Sequence, residues 1–70
     1  MKLNLYYERT ENAWSQAYVA KKLEVSQSYY CMVEAGDRNP SLALIKKLEA
    51  LFGYSHDYLL SVRGVGKGGL

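Results

Sequence analysis

The chain has a single cysteine, a single proline and no long apolar run. With Cys31 alone, no intrachain disulfide can form, and a zinc site built from several cysteines is excluded. A membrane-spanning helix needs about 20 consecutive apolar residues, and no such stretch exists. Valines are few and no segment alternates apolar and polar residues at period two, so a sheet is not expected. Glycine is scarce until the end, where Gly64, Gly66, Gly68 and Gly69 crowd together, and residues 62–70 read as a flexible tail. The opening Met1-Lys2-Leu3-Asn4-Leu5 runs straight into polar Glu8-Arg9 without the apolar stretch of a signal peptide. Together with the cysteine usage, this points to a reducing cytoplasm.

What is present is an ordinary globular composition at small scale. Seventy residues make one domain, residues 1–61, ahead of the tail. A chain of this size buries only about 60% of the surface its unfolded form exposes, so it relies on close packing or on a partner subunit. It leaves little room for an enzyme cleft, and no cofactor, metal or small-molecule pocket is suggested. At 49% hydrophobic and 23% charged residues it is too apolar for disorder. Nine Lys and Arg against seven Asp and Glu give a net charge of +2, too little by itself to argue for nucleic acid.

Five short helices account for the patterning. The first is expected over Leu3 to Glu11, with Leu5 and Arg9 on one face and an end at Asn12-Ala13, where Asn tolerates a left-handed backbone. Ser15 is a good cap for the second, whose Val19, Ala20 and Leu23 form an apolar stripe. Trp14 can pack back on that helix as a hydrophobic staple. Ser26 caps a third from Gln27 to about Ala35, with Tyr30, Val33 and Glu34 on one side and Gly36 as its stop. Gly36-Asp37-Arg38-Asn39-Pro40 reads as a loop. Pro40 and Ser41 then open a fourth helix with Leu42, Ile45, Leu48 and Phe52 as its expected core stripe and Gly53 as its end. Ser55 caps a last helix from His56 to about Ser61, with Asp57 in the first turn and Leu59 and Leu60 as apolar contacts. The result is a compact all-α domain.

The segment Ser15 to Ser41 carries the functional signal. Two short helices meet through a tight turn, and small Ala20 lets them cross closely. Ser26-Gln27-Ser28 then places short polar side chains at the start of the second helix, where they can project to base edges.

The ordered set Trp14-Ser15-Gln16, Val19-Ala20, Leu23, Val25-Ser26, Glu34, Gly36 and Asn39-Pro40-Ser41, continued by Gly53, Ser55, Asp57, Leu59 and Leu60, strongly resembles the Cro and phage-repressor family. This is the lambda-repressor-like, xenobiotic-response-element-like class of helix-turn-helix regulators. The resemblance covers roughly Leu5 to Leu60. It implies a five-helix domain that binds double-stranded DNA, as a homodimer on a palindromic operator, to repress transcription. Carried over residue by residue, Gln27, Ser28 and Met32 would meet bases, while Gln16, Ser26, Tyr29, Arg38 and Asn39 would meet the backbone. Arg9 and Glu34 match a structural salt bridge of the family, and Leu44, Leu51, His56, Tyr58 and Leu59 fall in the region related chains use for pairing. Glutamine can bond adenine through N6 and N7, serine several edges, and methionine only a thymine methyl, so an A·T-leaning site is expected.

Several positions depart from the family pattern. Glu24 stands in the turn where Gly is preferred, and a positive φ there implies strain on the order of 1 kcal/mol. Tyr30 replaces an aliphatic core residue, Glu8 a commonly apolar one, and Ala13 a common Gly. The remaining signals have bland explanations. His56 and Asp57 are neighbours on a helix start, where adjacent side chains do not face each other, so no catalytic pair with Cys31 is expected. Gly64, Gly66 and Gly69 spell a G-x-G-x-x-G, but no strand precedes and only Leu70 follows. Alternatives to repression are an antitoxin or restriction-system controller, a module that grips another repressor, and an excision-type architectural protein.

Overall fold

A computed structural model describes residues 2–62. It contains α1 (Asn4–Glu11), α2 (Gln16–Leu23), α3 (Gln27–Ala35), α4 (Leu42–Phe52) and α5 (His56–Leu59). Four of the five begin at a serine whose Oγ accepts the backbone N–H three residues on. The pairs are Ser15–Tyr18 (3.0 Å), Ser26–Tyr29 (3.1 Å), Ser41–Leu44 (3.2 Å) and Ser55–Tyr58 (3.4 Å). The exception is α1, which has no side-chain cap. Its first amide, Asn4 N–H, donates instead to the Ser61 carbonyl at 2.8 Å, beside an antiparallel bridge between Leu3 and Val62. The first and last described segments therefore complete each other's hydrogen bonds. Val62, expected to begin the tail, is part of this closure; the glycine-rich stretch 63–70 lies outside the described residues.

The first three helices end alike. The residue after the turn donates its N–H five positions back: Trp14 to Arg9, Val25 to Ala20 and Asp37 to Met32, at 3.2, 3.0 and 2.8 Å. This closure requires a left-handed residue just before the donor. Gly36 fills it without cost at φ 85°, but Ala13 (φ 60°) and Glu24 (φ 63°) carry a Cβ there, at about 1–2 kcal/mol each. Asn12, expected to take that role, keeps a right-handed φ of −86° and bonds its side-chain Nδ2 to the Glu8 carbonyl, so the left-handed step passes to Ala13.

The core consists of Leu5, Val19, Ala20, Leu23, Tyr30, Val33, Leu44, Leu48 and Leu59. Ala20 permits the close α2–α3 crossing, and Trp14 packs against Tyr18 and Phe52, with ring centroids 5.5 Å apart in both pairs. In α4 the expected stripe is rotated. Leu44 and Leu48 are buried, Leu51 and Phe52 pack beside them, Ile45 is half-buried and Leu42 is 70% exposed. At about 100° per residue Leu44, Ile45, Leu48, Leu51 and Phe52 fall within one stripe about 120° wide, while Leu42 falls between Lys46 and Glu49, and the stripe is the side that packs against α2 and α5. Likewise α5 stops at Leu59, short of the expected Ser61, because Leu60 and Ser61 turn toward the closure with α1.

Candidate nucleic-acid interface

Two faces of α3 divide the labour. Tyr30, Val33 and Glu34 are buried, while Gln27, Ser28 and Cys31 are exposed and Met32 is half-buried. Gln16 of α2 joins Gln27, Ser28, Cys31 and Met32 around one open depression of about 440 Å³. The base-contact candidates Gln27, Ser28 and Met32 thus share one surface, and Gln16 lies at its edge. Ser26 sits at the helix start, where its Oγ accepts from Tyr29 N–H and its own O–H remains a donor. On that flank the Arg38 guanidinium lies 5.4 Å from the Tyr29 ring centroid, with Asn39 exposed next to it.

The buried side of α3 holds a charged hub. Arg9 donates to Glu34 through Nε (2.6 Å to Oε2) and Nη2 (3.1 Å to Oε1), a two-pronged ion pair. Its Nη1 donates to the Trp14 carbonyl at 2.7 Å. Glu34 also accepts from Gln16 Nε2 at 2.8 Å and from the Tyr30 hydroxyl at 2.7 Å. Burial pushes the Glu34 carboxyl up, but hydrogen bonds from Arg9, Gln16 and Tyr30 outweigh it and hold its pKa below 4.5. The hydrogen bond to Glu34 raises Arg9, and burial with the Glu34 bond raises the Tyr30 phenol. One carboxylate therefore ties α1, the loop after it, α2 and α3 together. Gln16, expected at a phosphate, spends one of its two amide hydrogens on this hub and keeps the other, so its orientation is set from beneath. The Tyr30 contribution was not foreseen, although its i, i+4 spacing from Glu34 on α3 was a readable signal.

The pairing surface expected from Leu44, Leu51, His56, Tyr58 and Leu59 needs correction. Leu44 and Leu59 are 3% and 0% exposed and belong to the core of the single chain, Leu44 because the α4 stripe is rotated and Leu59 as the buried residue of α5. Tyr58 packs against that core and donates its hydroxyl to Glu8 at 2.8 Å. His56 bonds Glu49 through both its backbone N–H and Nδ1, each at 2.8 Å. His56 also approaches its neighbour after all, with Nε2 3.5 Å from Asp57 Oδ1. Among the described residues no helix is long and apolar enough to cross a membrane.

Comparison with known proteins supports the helix-turn-helix reading of the fold. Residues 5–59 match the helix-turn-helix family. The chain is 37% identical over 46 residues to an uncharacterized HTH-type transcriptional regulator, YqaF of Bacillus subtilis strain 168. That match covers 66% of this chain and 60% of the relative. No solved structure gives a significant match.

Proposed function

The chain belongs to the XRE-type helix-turn-helix family, and on that footing we propose that it regulates transcription by binding duplex DNA of particular sequence, as a repressor in the cytoplasm. The observation that carries the reading is the outward face of α3, where Gln27, Ser28 and Met32 share one open surface with Gln16 and take no part in the core. In this reading α3 enters the major groove. Gln27 bonds adenine, Ser28 a neighbouring edge, and Met32 a thymine methyl. Gln16, Ser26, Tyr29, Arg38 and Asn39 hold the flanking phosphates. Two copies pair on a palindromic operator with their α3 helices about 34 Å apart. Pairing uses the part of α4–α5 that stays at the surface, Leu51, His56 and Tyr58.

Selection of duplexes from a random pool identifies the site, and gel shifts on single-base variants then read the roles. Gln27→Ala relaxes preference at one base position by about 1–3 kcal/mol, whereas Gln16→Ala weakens all sequences alike. Equal losses for both variants across every duplex refute the assignment.

A further inference from the structure

The flank of α3 away from Arg38 carries a second cation braced on an aromatic ring. Lys2 Nζ lies 4.6 Å from the centroid of the Tyr6 ring. Lys2 and Tyr6 line a crevice of about 210 Å³ with Gln16, Cys31, Glu34 and Ala35. This crevice shares Gln16 and Cys31 with the surface that holds Gln27 and Ser28, so the two are continuous. At about 100° per residue, Gln27, Cys31 and Glu34 fall on one side of Ser28, and Tyr29 and Met32 on the other. Arg38 over Tyr29 and Lys2 over Tyr6 therefore stand on opposite flanks of one helix.

The local charge favours an anion. Glu34 is neutralised by Arg9 at 2.6 Å, and among the described residues Lys2 makes no ion pair, so it supplies the uncompensated charge of the crevice. The ring beneath it restricts a side chain that is otherwise costly to order. A helix about 10–12 Å across that fills a major groove about 12 Å wide meets a phosphate backbone on each flank. We propose that Lys2, braced by Tyr6, contacts a backbone phosphate on the strand across the groove from the one Arg38 meets, so that cations clamp α3 from both sides. The proposal rests on the DNA-binding reading and adds a residue to it.

The test is the salt dependence of binding by the full chain. Fluorescence anisotropy follows a labelled mixed-sequence duplex and the selected duplex between 50 and 200 mM salt. Each lost phosphate contact lowers the slope of log K against log salt by about 0.9, so Lys2→Met suffers about 3.5-fold less from a fourfold rise in salt than the wild type does. Lys2→Arg keeps the wild-type slope. Because Lys2 is exposed, both variants melt with the wild type. Equal slopes for wild type and Lys2→Met, or a loss in Lys2→Arg as large as in Lys2→Met, overturn the clamp and leave DNA binding standing. Failure of the wild type to bind either duplex overturns the functional reading and the clamp with it.

Discussion

Helix α1 is locked at two polar junctions, and they are built to different standards. Toward α3, the ion pair of the hub is saturated: Glu34 accepts four hydrogen bonds and Arg9 donates from all three of its nitrogens. Toward α5, Asn4 Nδ2 donates to the Tyr58 carbonyl at 2.8 Å and the Tyr58 hydroxyl donates to Glu8. Yet Asn4 Oδ1 is buried and accepts no hydrogen bond among the described residues, which costs about 1–3 kcal/mol. The saturated junction is the one that orients Gln16 and fixes the helix carrying Gln27 and Ser28. The complete junction thus joins α1 to α2 and α3, and the incomplete one joins α1 to α5 beside the Leu3–Val62 bridge.

The hub is broken most severely by Arg9→Met. Removing one partner of a buried, hydrogen-bonded pair costs about 3–5 kcal/mol, measured as a shift in the urea midpoint. The pH dependence identifies the cause. In the wild type the Glu34 pKa is lowered, so its contribution is present above 4.5 and lost as pH falls through the folded value. In Arg9→Met the loss of the Arg9 bond and charge leaves the folded Glu34 pKa higher than in the wild type, so the deficit against wild type is largest near neutrality and shrinks as pH falls through the variant's folded value. A deficit that holds constant into acid would show that Arg9 acts through packing instead.

A pair of hydroxyl deletions compares the junctions directly. Tyr58→Phe takes a donor from the Glu8 carboxylate, which is 8% exposed, and costs about 1–3 kcal/mol. Tyr30→Phe removes an equivalent bond from Glu34, but Arg9 and Gln16 still satisfy that carboxylate, and the loss is about 0.5–1.5 kcal/mol. The more deeply buried tyrosine is thus the more replaceable one. Urea unfolding of both variants decides, and the reverse order would mean that saturation is not what distinguishes the junctions.

These two regions were unequally legible in the sequence. The serine caps, the Ala20 crossing and the split of α3 into Tyr30-Val33-Glu34 and Gln27-Ser28-Met32 follow from local rules, because capping and helical period act within a few residues. The resemblance brought Arg9 and Glu34 into view together, while the rest of the hub needed three-dimensional placement. The α5 side was harder to read. Glu8 stands out in sequence only as a polar residue where an apolar one is common, and its partner Tyr58 is 50 residues away. The phase of α4 was misjudged because the expected stripe took in Leu42, which at about 100° per residue falls between Lys46 and Glu49, and left out Leu44, which is buried. Leu59 of α5 was placed on the expected pairing surface through the resemblance and is buried as well.

A separate pair differs from the hub by pH: His56 at the start of α5 bonds Glu49 of α4 and titrates. The hydrogen bond to Glu49 raises the His56 pKa above 6.5, with Asp57 adding to it against desolvation, and the bond from His56 lowers Glu49. A raised histidine stabilises the fold fully below its unfolded value and loses that contribution as pH rises through the folded one. His56→Ala therefore melts below the wild type by a margin that is widest in mildly acidic buffer and narrows above the folded His56 pKa. The backbone bond from residue 56 to Glu49 survives the substitution, so the change is small, in keeping with an exposed pair. The two margins should move in opposite directions: acid closes the gap for Arg9→Met, and alkali closes it for His56→Ala. If both variants drift together with pH, the Arg9–Glu34 hub and the His56–Glu49 pair are coupled and the molecule has one electrostatic unit where two are drawn.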